Sequence, residues 1–371
     1  EICLDEGSGL RQRAQAAAST TDPCNYMAEN CAIATSNNPW VNGQQGNWRM
    51  HESYAYQIPR EYEGDLNDEP RLREYGAYRN FAPFSWTSNA SNPNWVRANE
   101  MTRYSPQGEA TEERNAIDNY AAVQYGYNKQ LAVGIGQNMQ LREIAVDNFE
   151  DYDKDCTDHF RFTGARHTVN VVSEQAHTGR YSLRVTNQDE GPFIIKYLPG
   201  PSDPNCQSTF RPIPGNRYLI SAWVKETEDG QDLRRTTQYG NAAIRIQFCE
   251  GTATVLPDIQ ASGAIIDGWQ RVYADFTVPA AAEYLELRLV NKSTALGRLV
   301  YFDDLRIHPF LGNMTAVVYD RETYKVSAAL GENDYATVAI RAQAGAVVKY
   351  NVETERGVFT LNEGTRHDKP N

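Results

Sequence analysis

Short segments of alternating apolar and polar residues follow one another between residues 143 and 310, separated by turns rich in Gly, Pro and Asn. A period of two is typical of β-strands, because successive side chains of a strand point to opposite faces of a sheet. The segments that predict strands are "YSLRV", "RYLISAWVKE", "AAIRIQFCE", "WQRVYADFTV", "YLELRLVN" and "LVYFDDLRI". Regularly spaced short strands without helical periodicity predict a β-sandwich or jelly roll.

One face of each predicted strand is apolar, and these faces together predict a core between two sheets. The predicted core positions are Tyr181, Leu183, Val185, Ile220, Ala222, Val224, Ile244, Ile246, Phe248, Val272, Phe276, Val278, Leu285, Leu287 and Leu289.

The opposite faces of the same strands interleave aromatic and hydrogen-bonding side chains. Sugar recognition needs this mixture, because a flat ring covers the C–H face of a pyranose while amide and charged groups bond its hydroxyls. An alternative is that the aromatic side chains cover a sheet edge, or pack under a loop or against the first part of the chain. The pattern leaves both interpretations open. The candidate ligand contacts are Trp223, Arg245, Tyr273, Asp275, Tyr284 and Glu286.

The segment "GRLVYFDDLRIHPF" places Asp303 and Asp304 side by side within a predicted strand. At least one of the two carboxylates should share a face with Tyr301, Leu305 and Ile307. A carboxylate that points inward must find a cation or several hydrogen-bond donors to offset its desolvation. The sequence therefore predicts either a cation site or a β-bulge where Asp303 accepts backbone N–H bonds and Asp304 is solvated.

The regions on either side of 143–310 differ from it in composition and in predicted secondary structure. Residues 1–142 are rich in Asn, Gln, Tyr and Trp and predict a loop-rich region, with helices only at "GLRQRAQAAAS" and "EERNAIDNYAAVQYGYNKQL". Residues 311–371 predict a small β segment, from strand-like stretches such as "TVAIRAQAGAVVKYNVETERGVF" with tight turns. We therefore expect three regions, with boundaries at 142/143 and 310/311.

The chain carries 36 basic and 48 acidic residues and a net charge of −12. A surface of this sign repels phosphate backbones, which argues against a nucleic-acid partner. The sequence has no apolar run long enough to predict a membrane span. It begins at Glu1 with neither an initiator Met nor a signal-like segment, which predicts a processed product or a piece of a longer polypeptide.

Six cysteines occur without a CxxC pair or zinc-type spacing. In an exported protein this even count predicts disulfides, and we favour Cys24 with Cys31 and Cys206 with Cys249. Free buried thiols in a cytosolic protein are the alternative, and spacing alone leaves the connectivity open.

Signatures of catalysis are missing from the sequence. No HExxH, GxSxG elbow or Walker loop is present. The densest acidic cluster, "EDYDKDCTD" at 150–158, is interpreted as a solvated or cation-binding loop, because a glycosidase pair usually comes from separate strands. The sequence therefore predicts a binding or structural protein and no enzyme.

The segments "AHTGRYSLRV", "PGNRYLISAWVKE", "DGWQRVYADFTVPAAAEYLELRLV" and "VYFDDLRI" resemble, in order and spacing, the lectin-like jelly-roll domains of carbohydrate-binding modules in bacterial glycoside hydrolases. The resemblance covers 143–310. It implies a mainly β protein with a lectin-like jelly-roll β-sandwich, and a glycan or cell-surface polysaccharide as partner. It also implies a structural Ca²⁺ where the first and closing strands meet, with Asp147, Glu150 and Asp303 as its ligands.

The flanks carry a second resemblance. Residues from about 90 to 160 and from 311 to 360, including "TAVVYDRETYKVSAALGENDYATV", look like segments of large secreted Bacteroidetes proteins with RHS/YD-type repeats. The stretch "AIRAQAGAVV" departs from that repeat pattern. The resemblance implies an extracellular or bacterial cell-surface protein, exported by a type nine route. Its partners would be the rest of a parent polypeptide or a surface assembly.

These observations predict a non-catalytic module that acts in glycan binding, in adhesion or as a structural spacer of a larger exported surface protein. Two alternatives remain. One is a shell or carrier segment of an RHS-like toxin. The other is a fragment of a secreted hydrolase, with its catalytic part in the first 140 residues around Asp65, Asp68 and Glu69.

Overall fold

The computed structural model describes the chain in fourteen ranges, to which every structural statement below refers. They are 49–57, 73–74, 77–78, 81, 83–85, 94–105, 108–127, 130–151, 170–186, 193–198, 210–233, 236–249, 253–343 and 345–364. Within them the protein is mainly β, as predicted, with one 3-10 turn at Leu141–Glu143 and no α-helix. No helix in this described part is long and apolar enough to cross a membrane.

The strands in chain order are β1 (Glu52–Tyr56), β2 (Arg73–Glu74), β3 (Ala77–Tyr78), β4 (Trp95–Tyr104), β5 (Ala110–Asn115), β6 (Tyr120–Gly126), β7 (Leu131–Gln137), β8 (Ala145–Asp147), β9 (Val171–Val172), β10 (Ser182–Val185), β11 (Phe193–Tyr197), β12 (Arg217–Glu228), β13 (Gln231–Asp232), β14 (Ala242–Cys249), β15 (Ala253–Val255), β16 (Ile259–Ile266), β17 (Trp269–Thr277), β18 (Tyr284–Asn291), β19 (Arg298–Pro309), β20 (Asn313–Tyr319), β21 (Val326–Leu330), β22 (Ala336–Arg341), β23 (Val347–Thr354) and β24 (Gly357–Glu363).

Ten of these strands form one antiparallel sheet, which we call the platform sheet. Its order is β1-β4-β5-β6-β7-β20-β21-β22-β23-β24. At its centre β7 pairs with β20, with Gln137 opposite Asn313 and Gly136 opposite Met314. Strands β8 to β19 all lie in sequence between these two neighbours. The jelly roll is therefore inserted between adjacent strands of a sheet that both flanks of the chain build together.

The jelly roll itself consists of two packed sheets. The middle sheet contains β17, β12, β19, β10 and β9 in that order, with β13 beside β12 and β8 beside β19. The outer sheet contains β11, β18 and β14, with β15 beside β14. Strand β16 pairs with β14 through its first residues and with β17 through the following ones, so it passes from one sheet to the other.

The core between the middle and outer sheets confirms the face assignments made from alternation. Every predicted core residue is fully buried there except Tyr181, which lies just before β10 and is half-buried. Inner positions of β14 and β18 such as Ile246 and Leu287 interdigitate with Ala222 and Phe276 from the middle sheet. The alternating strands bury their apolar face because the sandwich removes it from water.

A second core lies between the platform sheet and the other face of the middle sheet. The platform contributes small or slender residues such as Ala316 and Leu330, and the middle sheet contributes Trp223, Trp269 and Tyr301. The molecule is therefore layered as platform, middle and outer sheets. Both tryptophans of the middle sheet, together with Tyr301, point toward the platform, whereas Tyr218, Phe276 and Phe302 point toward the outer sheet.

The predicted helix at "EERNAIDNYAAVQYGYNKQL" is wrong. This segment forms the hairpin of β5 and β6, with Glu112 opposite Ala122. In the turn, the side-chain Oδ1 of Asn115 accepts hydrogen bonds from the backbone N–H groups of Ile117 and Asn119, both at 3.0 Å. Asp118 adopts a left-handed φ of 60°. Asn and Asp favour such turns over helix because their side chains replace the helical backbone bonds.

Two other predictions concern residues outside the described ranges. These are the helix at "GLRQRAQAAAS" and the hydrolase candidates Asp65, Asp68 and Glu69. Cys249 is disulfide-bonded, and the other five cysteines are outside the described ranges, so the predicted pairings stay predictions.

Candidate functional site

The six candidate ligand contacts are divided between two separate faces. On the middle sheet, Trp223 is paired with Arg271, and Tyr273 with Ser221, so both aromatic rings belong to the face turned toward the platform sheet. Asp275 lies two residues after Tyr273 on the same strand and shares that face. The other three candidates, Arg245, Tyr284 and Glu286, lie on the far face of the outer sheet.

Trp223 is not available to a ligand, which corrects its assignment as a glycan contact. Its side chain is only 1% exposed. The indole ring stacks on the imidazole of His177 at 4.3 Å between centroids, and its Nε1 donates a hydrogen bond to the carbonyl oxygen of Asp334 at 2.9 Å. The tryptophan is buried because the platform sheet covers this part of the middle sheet. Of the alternatives, packing under a loop is the one observed, because Asp334 and Tyr335 lie in the connection between β21 and β22.

The three candidates on the outer sheet form no accessible binding strip either. Tyr284 and Glu286 are 8% and 1% exposed, so neither offers the surface that a ligand contact needs. Glu286 forms an ion pair with Arg288 two residues along the same strand. Arg245 is half-buried and its Nε lies 2.9 Å from Oδ1 of Asp258. Burial therefore corrects the ligand assignments of Tyr284 and Glu286, and Arg245 is engaged in an ion pair.

Tyr273 and Asp275 lie on the exposed part of the middle sheet, beyond the cover of the platform. Tyr273 is 44% exposed. Asp275 Oδ2 accepts a hydrogen bond from Arg217 Nε at 2.7 Å, and this bond holds the pKa of the Asp275 carboxyl below its usual value. Arg217 also lies 3.7 Å from the ring centroid of Phe310. We name Arg217, Arg271, Tyr273, Asp275 and Phe310 the tyrosine strip.

Arg271 fixes one end of the tyrosine strip to the platform. Its guanidinium carbon lies 4.8 Å from the ring centroid of Tyr273 and 5.4 Å from that of Tyr335. Its Nη1 donates to the carbonyl oxygen of Asn333 at 2.9 Å. Sequence analysis missed Arg217 and Phe310. Alternation along β12 could have placed Arg217 on this face, whereas Phe310 follows the end of β19 and no periodic signal reaches it.

Asp303 and Asp304 lie at a β-bulge in β19. Opposite them the register of β12 jumps from Ser221 to Trp223, and Asp304 has a left-handed φ of 49°. The bulge changes the phase of the alternation. As a result Tyr301 faces the platform sheet, whereas Leu305 faces the core of the jelly roll. The expectation that these residues share a face with an Asp fails because the strand is irregular at that point.

Backbone donors satisfy the buried Asp303. Its Oδ2 accepts bonds from the N–H groups of His177 and Thr178 at 2.7 and 3.3 Å, and its Oδ1 accepts one from Asp304 at 2.8 Å. Burial, followed by the charge of Asp304, raises the pKa of Asp303 well above its ordinary value. The bulge interpretation is therefore confirmed for Asp303. Asp304 is 2% exposed, so the expectation that it is solvated is wrong.

Asp304 holds His177 from the jelly-roll side while Glu353 holds it from β23 of the platform. His177 Nδ1 is 2.7 Å from Asp304 Oδ2, and its Nε2 is 2.9 Å from Glu353 Oε1. Burial alone would lower the pKa of the imidazole, but hydrogen bonds and charge from both carboxylates raise it to about 10. The ring is therefore an imidazolium that joins the jelly roll to the platform.

The predicted calcium ligands do not converge in the described structure. Glu150 Oε1 accepts bonds from the N–H groups of Arg180 and Tyr181, both at 2.6 Å, and Asp147 Oδ1 accepts one from Phe149 at 3.0 Å. Burial raises the pKa of Glu150 to about 7. Both oxygens of Asp303 accept N–H bonds, whereas Glu150 Oε2 is buried and has no hydrogen-bond partner within the described part of the chain. The calcium assignment of Asp147, Glu150 and Asp303 stays a prediction.

Only one group of three His, Cys, Asp or Glu side chains in the described ranges brings its ligand atoms within 4.8 Å of one another. It consists of His51, Glu52 and Glu100 on β1 and β4. Glu100 Oε2 lies 2.6 Å from Nη1 of Arg97 and also pairs with Arg114. This cluster is therefore an ion-pair network at the edge of the platform sheet.

No protein-family model and no curated protein matches this chain. Among solved structures, a Clostridium thermocellum xylanase 10B chain with CBM22-1 and GH10 modules, complexed with xylohexaose, is 16% identical over 38% of this chain, with a TM-score of 0.26. The match spans 24% of that xylanase chain. The CBM22-1 xylan-binding domain of Paenibacillus barcinonensis Xyn10C is 17% identical over 38% of this chain and 78% of its own, with a TM-score of 0.26. A family 16 carbohydrate-binding module is 14% identical over 37% and 82%, with a TM-score of 0.24.

Proposed function

We propose that this chain is a non-catalytic glycan-binding module in which the jelly roll binds sugar at the tyrosine strip. One observation carries the proposal. The platform sheet buries Trp223 and Trp269 on the middle sheet, whereas Tyr273 on the same face stays 44% exposed beside a carboxylate and two guanidinium groups. An exposed ring of this kind is a suitable surface for a pyranose.

The tyrosine strip combines an aromatic face with hydrogen-bond donors and acceptors, which suits the binding of a sugar ring. The Tyr273 ring offers a face for C–H stacking, and its two χ angles cost little conformational entropy on binding. Asp275 supplies acceptor oxygens, and Arg217 supplies fixed N–H donors. Their ion pair, at 2.7 Å, joins the acceptor and the donor before a ligand arrives. A preorganised polar edge next to a flat apolar face matches the two sides of a sugar ring.

A glycan array on the purified chain, followed by affinity measurement on any positive sugar, tests the proposal. We expect binding that Tyr273→Ala weakens about tenfold or more, the effect typical of losing a central aromatic contact. The matched control is Tyr350→Ala on β23, which removes a ring of similar exposure, 39%, from the platform sheet. Equal losses in the two variants, or no binding to any glycan, would count against the tyrosine strip as a site.

The same array run with a chelator separates the glycan proposal from the calcium prediction. The tyrosine strip contains no predicted calcium ligand, so we expect sugar binding to be independent of chelator. The melting temperature measured in parallel reports on Asp147, Glu150 and Asp303. A fall in melting temperature with chelator would support a structural ion at these residues, and an unchanged melting temperature would contradict the calcium prediction.

A second candidate function is a structural spacer or shell segment, and the insertion topology favours it. Both ends of the jelly roll leave from β7 and β20, which are neighbours at the centre of the platform sheet. Such an insertion carries a domain without interrupting the sheet that holds it. Under this alternative no glycan binds, and Tyr273→Ala changes nothing. With either function, we propose that the protein is extracellular or on the bacterial cell surface and is exported as part of a larger polypeptide.

A further inference from the structure

Strand β17 runs out from under the platform sheet along the face that carries the tyrosine strip. Trp269 is 4% exposed, Arg271 is half-buried, and Tyr273 is 44% exposed. Alternate residues of a strand share a face, so these three side chains lie in one row. Arg271 therefore lies at the boundary between the covered and the open part of this face.

Arg271 differs from the neighbouring arginines of this face in having no ion-pair partner among the described residues. Arg217 and Arg306 each lie 2.7 Å from a carboxylate oxygen. Arg271 makes a single hydrogen bond within the described ranges, from Nη1 to the carbonyl oxygen of Asn333. Next to the exposed tyrosine there is thus one guanidinium whose charge is not paired with any described carboxylate.

The guanidinium of Arg271 lies close to two aromatic rings. Its carbon is 4.8 Å from the ring centroid of Tyr273 and 5.4 Å from that of Tyr335. Cation–π attraction at such distances restrains the side chain without neutralising its charge. Since Nη1 is bonded to the backbone, the edge formed by Nε and Nη2 has no hydrogen-bond partner among the described residues. Two parallel N–H donors of this kind bind a carboxylate in bidentate geometry.

We propose that the tyrosine strip prefers a glycan that contains a uronic acid, whose carboxylate pairs with Arg271 while its pyranose ring stacks on Tyr273. The assignment rests on the proposed glycan-binding function and names the class of sugar. One sugar residue can make both contacts, because the guanidinium carbon lies 4.8 Å from the centroid of the ring on which the sugar stacks. A neutral sugar would make the stacking contact alone and leave the Nε and Nη2 donors to water.

The preference is local, because the chain as a whole is acidic. Its net charge of −12 repels a continuous polyanion. Asp275, paired with Arg217, also disfavours a second anionic group at the other end of the tyrosine strip. A sulfated sugar presents the same charge, but its sulfate is joined through an ester oxygen and extends further from the ring than a uronate carboxylate does. We therefore expect a mainly neutral glycan with isolated uronate residues.

Tetrasaccharides with a single glucuronate or galacturonate test the preference on the purified chain. Each is compared with its carboxyl-reduced neutral form and with the 6-sulfate of that neutral form. We expect the uronate form to bind with a Kd about fivefold or more below that of the neutral form, as for a hydrogen-bonded charge pair. Raising the salt concentration from about 50 mM to about 500 mM should reduce this difference and leave neutral binding unchanged. These comparisons need no variant, so they do not depend on the folding of one.

Arg271→Gln should remove the preference, so that the uronate form binds no more tightly than the neutral form. Binding of the neutral form should stay within about threefold of the original, since it does not use the charge. The matched control is Arg184→Gln on β10, three strands from β17 in the middle sheet, which removes the same charge and should leave the preference unchanged. Tyr273→Ala should weaken both forms.

Three results would each overturn the uronate assignment. They are equal binding of the uronate and neutral forms, tighter binding of the sulfated form, and a preference that persists in Arg271→Gln or disappears equally in Arg184→Gln. In each case, sugar binding that is lost in Tyr273→Ala would leave the glycan-binding proposal intact. If no glycan binds at all, the proposed function itself fails, and the uronate assignment fails with it.

Discussion

The two faces of the middle sheet are both buried, but by different chemistry. The face toward the outer sheet meets an apolar core of aliphatic and aromatic residues, such as Ile220, Leu287 and Phe276. The face toward the platform contains Trp223 and Trp269 together with a buried ion pair and a charged histidine. The first core forms within one domain, whereas the second joins segments that are far apart in sequence.

This difference indicates how each interface is specified. Aliphatic packing needs volume and alternation, and many arrangements of similar residues satisfy it. Buried charges are stable only when their particular partners are in place, because an unpaired charge in the interior is costly. We infer that the polar contacts fix the orientation of the jelly roll on the platform sheet, and that the apolar core between the middle and outer sheets holds the jelly roll together. Substitutions on the two faces should therefore change the free energy of unfolding in different ways.

The largest effect is expected from the ion pair between Arg306 of β19 and Asp334 of the platform. Arg306 Nε lies 2.7 Å from Asp334 Oδ1, and both side chains are 2% exposed. Asp334→Leu leaves a buried guanidinium without its carboxylate, which should lower the free energy of unfolding by about 3–5 kcal/mol. Urea denaturation at neutral pH measures this loss.

The matched double variant is Arg306→Met with Asp334→Leu, in which no charge is left unpaired. It should recover most of the stability lost in the single variant, because the cost comes from the orphaned charge rather than from the missing pair. If the free energy of unfolding of Asp334→Leu were within about 1 kcal/mol of that of the original chain, this interface would tolerate an unpaired buried charge. Its polar contacts would then not determine how the jelly roll is seated.

A smaller effect of a different kind is expected in the apolar core between the middle and outer sheets. Leu287 is fully buried, and Leu287→Ala should lower the free energy of unfolding by about 3 kcal/mol through lost burial and a residual cavity. The control is Leu296→Ala at a residue that is 89% exposed, where we expect a change within about 0.5 kcal/mol. Denaturant midpoints of the two variants provide the measurement. Similar values for both would mean that this apolar core is not what holds the jelly roll together.

The same contrast explains what could be predicted from sequence. Alternation identified the strands and the inward residues of the jelly roll, because that core is built from local periodic segments. It failed at Asp303 and Asp304, where a bulge changes the phase, and at the β5–β6 hairpin, where the turn chemistry of Asn115 outweighed an apparent helical spacing.

Function was harder to predict than fold because accessibility is not a property of a single strand. Trp223 and Tyr273 have the same kind of position on the same face, and only the platform sheet distinguishes them. The residues that cover Trp223 come from after position 310, such as Asp334. Glu353 is hydrogen-bonded to His177 although the two are 176 residues apart in sequence. No pattern within 143–310 contains this information.

The most specific effect is a pH slope caused by His177. Its carboxylate partners raise the pKa of the folded imidazole to about 10, above its ordinary value of 6.5. The stabilisation is therefore complete below pH 6.5 and is lost as the pH rises through 10. Between these values the folded state binds one more proton than the unfolded state, so stability should fall by about 1.4 kcal/mol per pH unit. Urea denaturation between pH 7.5 and 9.5, roughly above the range where Glu150 titrates, measures the slope.

His177→Gln should flatten this slope, because glutamine keeps hydrogen-bonding capacity without the titrating charge. The matched control is His308→Gln. His308 is also buried, but burial lowers its pKa to about 4, so its ring is neutral throughout the measured window and its loss should leave the slope unchanged. A slope that persists in His177→Gln, or one that disappears in His308→Gln, would mean that the imidazolium between Asp304 and Glu353 does not seat the jelly roll on the platform. Flattening in the first variant alone would assign the pH dependence of this interface to a single side chain.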